Sequence, residues 1–155
     1  MNAIIPPTSP TRYLSGMAAL NIPSDGGTGD WHMIETFFKP TQVMGRLFVA
    51  GVGCADDTTP LLYDLGVFEC SEMLDRYHIP HPSGPVFAAS HARAIADMVL
   101  VVTLEDGNPA FIDLDDWMPE PEDKNKVFEL LDIATSKMGP HEKERVSRWI
   151  AMNSN

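Results

Sequence analysis

Hydrophobic residues recur at helical spacing near the end of the chain and predict two consecutive helices there. Over residues 124–138, one stripe of an amphipathic helix is formed by Val127, Leu130, Leu131, Ala134 and Met138. Gly139 and Pro140 end this helix and begin a last one over residues 141–152. That helix is predicted to pack through Val146, Trp149 and Ile150.

A third helix is predicted from about Val86 or Ala88 to Leu100. Its core-facing stripe follows i, i+4, i+7, i+8 and i+11 spacing and consists of Ala88, Ala92, Ile95, Ala96 and Val99. Residues 99–104 also fit a short strand, and the pattern does not decide between the two. Residues 67–77 predict a further helix, which the proline-rich stretch 78–85 ends.

The first half of the chain has weaker patterns. Residues 13–20 predict two helical turns, Asp30 is predicted to cap a helix over 31–38, and residues 45–52 are the best strand candidate. Residues 53–66 are predicted to be a loop, and residues 111–114 a short strand or an ordered turn. The predicted fold class is therefore mainly α with a small β component (α+β), in a compact single domain. We expect a flexible N-terminal segment over 1–12 and one globular domain over 13–152.

Composition is ordinary for a soluble globular protein, at 44% hydrophobic and 21% charged residues in 155. The apolar runs are too short for a signal peptide or a membrane span, which predicts a cytoplasmic protein without membrane contact. Cys54 and Cys70 lack the spacing of a zinc site, and we expect two reduced, packed thiols. No metal and no cofactor are expected.

The net charge of −11 is the overall property that says most about possible partners. A surface this acidic repels phosphate backbones, so direct nucleic-acid binding is disfavoured. It favours a basic protein partner instead. Plain solvated acidity is the competing interpretation, and charge alone does not exclude it.

Two short strings carry candidate chemistry: Gly29-Asp30-Trp31-His32, and the stretch from Ser90 to Asp97. The candidate site residues are Asp30, His32, His91, Arg93 and Asp97. Arg93 and Asp97 are four apart, which on a helix surface predicts an ion pair worth less than about 1 kcal/mol. For Asp30 and His32, a capped helix with Trp31 as a packing residue is favoured over a catalytic role. No nucleophile, phosphate-binding or dinucleotide motif accompanies them. The sequence therefore identifies no reaction, and it favours a non-enzymatic function over an enzymatic one.

The remaining histidines are not arranged as metal ligands. His78 and His81 lie in the proline-rich break, and no standard spacing joins them to Asp64 or Asp75. Exposed loop histidines are the expectation.

The chain resembles a group of small bacterial proteins that share an ALN…GDWH…(N/S)HxRAxxD pattern. The matching strings are Ala18-Ala19-Leu20-Asn21, Gly29-Asp30-Trp31-His32, Gly66-Val67 and Ala89-Ser90-His91-Ala92-Arg93-Ala94-Ile95-Ala96-Asp97. The resemblance covers residues 13–100 and implies an origin in toxin–antitoxin-like loci. It assigns no catalytic residues.

Acidic residues without any lysine or arginine fill the segment from Glu105 to Asp123. The predicted partner-binding residues within it are Asp113, Asp115, Asp116, Trp117, Met118 and Glu120. A loop whose tryptophan docks on its own domain is equally consistent. The leading hypothesis is an antitoxin-like or inhibitory module that neutralises a basic partner, either a toxin or a nucleic-acid-handling enzyme. The alternatives are a small enzyme using the His/Asp/Arg cluster, and an acidic nucleic-acid mimic that inhibits restriction or CRISPR enzymes.

Overall fold

The structure, a computed structural model, describes residues 5–23, 37 and 49–154. Within these ranges the chain forms four short strands, seven helices and a 3-10 turn over Pro109–Phe111, and Phe37 also has a 3-10 conformation. In order they are β1 (Arg12–Leu14), α1 (Gly16–Leu20), β2 (Val49–Gly51), α2 (Thr59–Leu62), β3 (Val67–Glu69), α3 (Ser71–Arg76), β4 (Phe87–Ala89), α4 (His91–Leu104), the 3-10 turn (Pro109–Phe111), α5 (Leu114–Trp117), α6 (Pro121–Thr135) and α7 (Pro140–Asn153). The predicted α+β class is confirmed.

The four strands form one mixed sheet in the order β2-β1-β4-β3. The two outer pairs are antiparallel and the central β1–β4 pair is parallel, with Leu14 opposite Ala88. Gly51 ends β2 with a φ of +117°, and a side chain there would place its Cβ 1.9 Å from the Thr11 carbonyl oxygen. The close approach of β1 and β2 therefore requires glycine at this position.

Alternate residues of the strands pack into two separate hydrophobic cores, one on each face of the sheet. Tyr13 and Ala89 face the main core, where α4 packs against α1, α6 and α7. Leu14 and Ala88 face a smaller core together with Leu74 of α3. The sheet is therefore covered on both faces, and α4 lies at the centre of the larger layer.

The two final helices confirm their predictions closely. α6 begins and ends three residues before the expected limits, and α7 runs one residue beyond the expected helix at each end. Phe128 of α6 meets Trp149 of α7 edge to face, with ring centres 6.4 Å apart. Of the apolar stripe predicted over residues 88–99, Ala92, Ile95, Ala96 and Val99 are buried on α4. Ala88 belongs to β4 instead and faces the smaller core.

Several predicted boundaries were wrong, because three-residue strands are too short to show an alternating pattern. Residues 67–77 form β3 followed by α3 instead of one helix, and residues 87–89 form β4 before α4 begins. Residues 13 and 14 likewise belong to β1, not to α1. Residues 99–104 continue α4, residues 109–111 form the 3-10 turn, and α2 interrupts the predicted loop.

Of the N-terminal segment 1–12, the structure describes residues 5–12, and these contact the sheet. Ile5 is buried in the smaller core, and the Thr8 hydroxyl accepts a hydrogen bond from the Phe87 amide at 2.8 Å. Of the predicted strand over 45–52, residues 49–51 form β2, and residues 45–48 lie outside the described ranges. The predicted cap at Asp30 and, Phe37 apart, the helix over 31–38 also lie outside them.

Candidate functional site

An ion pair inside the protein core is the central polar feature of the molecule. Ser90 caps α4 by accepting a hydrogen bond from the Arg93 amide at 3.1 Å, which fixes the first turn of the helix. Arg93 Nε then donates to Asp97 Oδ1 at 2.8 Å, one turn further along. Both side chains are 0% exposed. The predicted pairing is confirmed, but its predicted surface location is wrong.

Three hydroxyl groups complete the surroundings of the Asp97 carboxylate. It accepts hydrogen bonds from Tyr13 at 2.8 Å, from Ser15 at 2.7 Å and from Thr58 at 2.6 Å. These donors come from β1, from the residue before α1 and from the residue before α2. A buried carboxylate is tolerated only when such partners replace its water. Asp97 therefore joins two separate segments, residues 13–15 and Thr58, to α4.

The Arg93 guanidinium joins a third segment, residues 63–65, to the same helix. It donates to the carbonyl oxygen of Tyr63 at 3.1 Å and to that of Leu65, and it lies 5.2 Å from the centre of the Tyr13 ring. Gly66 allows this approach, because its φ is +75° and a Cβ there would lie 2.9 Å from Arg93 Cβ. Arg93 therefore holds the backbone of residues 63–65 from the interior of the protein, which we call the clamp.

The clamped segment is a tight turn in a strained conformation. The Leu65 amide donates to the Leu62 carbonyl at 3.0 Å, which closes the turn. Tyr63 occupies its second position with φ 50° and ψ −122°, a conformation that favours glycine. Its side chain is nevertheless 63% exposed. The buried guanidinium thus holds an exposed aromatic residue in place.

Burial shifts the proton equilibrium of Tyr13. Desolvation raises the pKa of the phenol above its ordinary value of 10.0, the nearby Asp97 charge raises it further, and Arg93 opposes both. Tyr13 is therefore neutral at physiological pH. In that state its hydroxyl donates to Asp97 and accepts from Arg93.

The five predicted site residues do not all meet. Arg93 and Asp97 lie together, whereas His91 is buried on the same helix and its Nε2 donates to the Ile22 carbonyl at 3.0 Å. Asp30 and His32 lie outside the described residues. Because Arg93 and Asp97 are enclosed and internally bonded, their arrangement acts as a structural clamp and offers no face to a substrate.

Sequence reasoning missed the three hydroxyl donors, Tyr13, Ser15 and Thr58. They lie 39 to 84 residues from Asp97 along the chain, so no local pattern connects them. One signal was present: Arg93 and Asp97 stand among small and apolar residues over positions 92–102. Two charges in so apolar a stretch indicate a buried pair.

The predicted partner-binding residues lie on and beside α5, which is firmly attached to α7. The Leu114 amide donates to Asn153 Oδ1 at 2.9 Å, and Trp149 Nε1 donates to the Ile112 carbonyl at 3.0 Å. Asp113 caps α5 by accepting from the Asp115 amide at 2.9 Å. The short helix is therefore held in a fixed orientation.

The side chains of this segment divide into an exposed acidic group and an inner apolar pair. The exposed acids are Asp113, Asp115, Asp116 and Glu120, which we call the acidic surface. Asp115 forms an ion pair with Lys124 at 2.5 Å. Trp117 is half-buried against the main core, and Met118 is only 2% exposed. Met118 therefore supports α5 from inside and is not placed to contact a partner.

The cysteines and loop histidines form no further centre. Burial raises the pKa of the Cys70 thiol to about 12, and Cys54 is half-buried; both are free. His81 Nε2 lies 2.7 Å from Asp75, and this hydrogen bond raises the pKa of the histidine. Across residues 5–23, 37 and 49–154, no group of three or more potential ligands is arranged to hold a metal. No helix of the same ranges is long and apolar enough to cross a bilayer.

Comparison with known proteins found no match for this chain among family models, curated proteins or solved structures.

Proposed function

We propose that this chain is an antitoxin-like or inhibitory binding protein that neutralises a basic, nucleic-acid-directed protein in the cytoplasm. The observation that carries the proposal is the acidic surface on the firmly attached α5. Four exposed carboxylates lie within eight consecutive residues there, beside the half-buried ring of Trp117.

The attachment of α5 matters as much as its charge. The hydrogen bond from Leu114 to Asn153 holds α5 itself, and the one from Trp149 to the Ile112 carbonyl holds the residues just before it. The backbone is thus fixed before any partner arrives, so little chain entropy is lost on binding. A fixed cluster of negative charge on a chain of net charge −11 accelerates encounter with a basic surface. A nucleic-acid-directed protein presents such a surface because it must bind phosphates.

The test is affinity capture of the tagged protein from a lysate of its native host, at moderate salt. The informative variant combines Asp116→Asn with Glu120→Gln, two exposed acids of the acidic surface. The matched control combines Glu129→Gln with Asp132→Asn on α6, also exposed. Each double variant changes the net charge from −11 to −9, so only the position of the lost charges differs.

We expect one basic protein in stoichiometric amount, captured by the parent and the control but weakly by the Asp116/Glu120 variant. The purified partner should act on nucleic acid, and addition of this chain should inhibit that action. Association should slow as salt rises, because the attraction is screened. Equal capture by both double variants, or recovery of the protein without a basic partner, would contradict the proposal.

A further inference from the structure

A second surface feature is a cleft between the 3-10 turn and α7, with a volume of about 210 Å³. Pro109 and Trp149 line it and are themselves buried, so they form its apolar interior. Met152 also lines it and is 60% exposed, and Phe111 of the adjoining turn is 62% exposed. The cleft therefore opens onto a surface that is itself apolar.

The charged residues that line the cleft are both cations, Arg145 and Arg148. The chain as a whole has 22 acidic and 11 basic residues, yet no carboxylate lines this cleft. The acids that pair with the two arginines, Asp106 and Glu144, lie outside the lining. Each arginine therefore already has an acidic partner, and the pair that can exchange its acid for another anion is the exposed Arg148–Glu144 pair.

Arg148 retains donors for an incoming group, whereas both terminal nitrogens of Arg145 are already bonded, to Asp106 and to the Gly107 carbonyl. Arg148 makes one hydrogen bond in the described structure, to Glu144 at 2.7 Å, although a guanidinium has five N–H donors. Both residues of that pair are exposed, and exposed pairs of this kind exchange readily with other partners. A carboxylate at the mouth of the cleft would meet the fork geometry that arginine offers.

We propose that this cleft binds a polypeptide segment in which a large apolar side chain stands beside a carboxylate. The volume lies below the roughly 300–1,000 Å³ of sites for drug-sized molecules and matches a single side chain. The exposed Phe111 and Met152 would contact the residues on either side of that anchor. This favours a peptide over a free organic acid, and it does not depend on the acidic surface or its basic partner.

The experiment is titration of the whole protein with a short blocked peptide of sequence Gly-Glu-Phe-Glu-Gly, followed by calorimetry and by amide NMR shifts. Two matched peptides replace both glutamates with glutamine, or phenylalanine with alanine. The protein variant is Arg148→Gln, and its control is Arg76→Gln on α3, another exposed arginine. Circular dichroism establishes that both variants are folded. 3-Phenylpropionate tests the free-acid alternative.

We expect saturable binding of the acidic peptide, with shifts centred on residues 108–111 and 145–152. Arg148→Gln or the glutamine peptide should weaken the affinity roughly tenfold, as loss of a charge-assisted hydrogen bond predicts, whereas Arg76→Gln should not. The alanine peptide should also bind weakly. Equal affinity for the glutamine peptide, or absence of saturation at millimolar concentration, would overturn the proposal. Phenylpropionate binding as tightly as the peptide would overturn the choice of a polypeptide.

Discussion

Replacing Asp97 with alanine tests the role of the buried ion pair most directly. The substitution leaves the fully enclosed Arg93 without its countercharge and removes the acceptor of the Tyr13, Ser15 and Thr58 hydroxyls. Breaking a buried pair by removing one partner costs about 3–5 kcal/mol. A domain of this size has a free energy of unfolding of about 5–15 kcal/mol, so the loss is a large share of its stability.

The assay is urea unfolding followed by circular dichroism and tryptophan fluorescence, which gives the free energy and its denaturant slope together. Glu129→Ala, an exposed change on α6, is the control and should stay within about 0.5 kcal/mol of the parent. A loss below about 1 kcal/mol for Asp97→Ala, at an unchanged slope, would refute the buried ion pair.

A double variant distinguishes the contribution of the ion pair to stability from that of the Arg93 hydrogen bonds to the turn over residues 63–65. In many proteins, replacement of both members of a buried pair by apolar residues is neutral or stabilising. Here Arg93→Met with Asp97→Ala also leaves the carbonyl oxygens of Tyr63 and Leu65 without their donor. The double variant should therefore stay destabilised by more than about 2 kcal/mol, because these two part-buried carbonyl oxygens and the buried hydroxyls that donate to Asp97 lose their partners. Recovery of the parent's stability would mean that the turn does not depend on Arg93.

Three further predictions concern individual side chains. Because the pKa of Tyr13 is raised in the folded state, its contribution to the free energy of unfolding is complete below pH 10 and is lost as the pH rises further, by up to about 1.4 kcal/mol per pH unit. In a series of urea titrations at different pH values, Tyr13→Phe should remove this part of the loss of stability at alkaline pH. Tyr63→Gly should be more stable than Tyr63→Ala by about 1 kcal/mol, the reverse of the usual order, because the φ there is positive; thermal unfolding compares the two, and a more stable alanine variant would contradict the strained turn. Cys54 should react with a thiol reagent well before Cys70, whose pKa is raised to about 12; mass spectrometry of the labelled peptides decides, and first labelling of Cys70 would show that its site is open.

The helices could be predicted where the local pattern was long and clearly delimited. α6 and α7 each present several turns of apolar spacing, and Gly139 and Pro140 separate them. β3 and β4 have three residues each, and α3 and α4 follow them after a single residue. Such strands are specified by their neighbours in the sheet, which a local pattern does not contain.

The candidate site shows the same division between local and distant information. The Arg93–Asp97 contact follows from their spacing on a helix. Its burial depends on Tyr13, Ser15 and Thr58, which only the complete fold brings to it. The exposure of the acids around α5 followed from composition, but the inward position of Met118 required the packing of α5 on the core.

The wide separation of the Asp97 partners has a consequence for synthesis of the chain. Tyr13 leaves the ribosome 84 residues before Asp97. Synthesis adds about 5–20 residues per second, so roughly 4–17 s pass before the Asp97 carboxylate is available to accept the hydrogen bond from Tyr13 in β1. For most of that interval, β1 lacks both its parallel neighbour β4 and the helix α4 that shares its core. Sequestration of the early segment by a chaperone should therefore matter most just before α4 emerges, and synonymous codons that slow translation there would prolong the exposure.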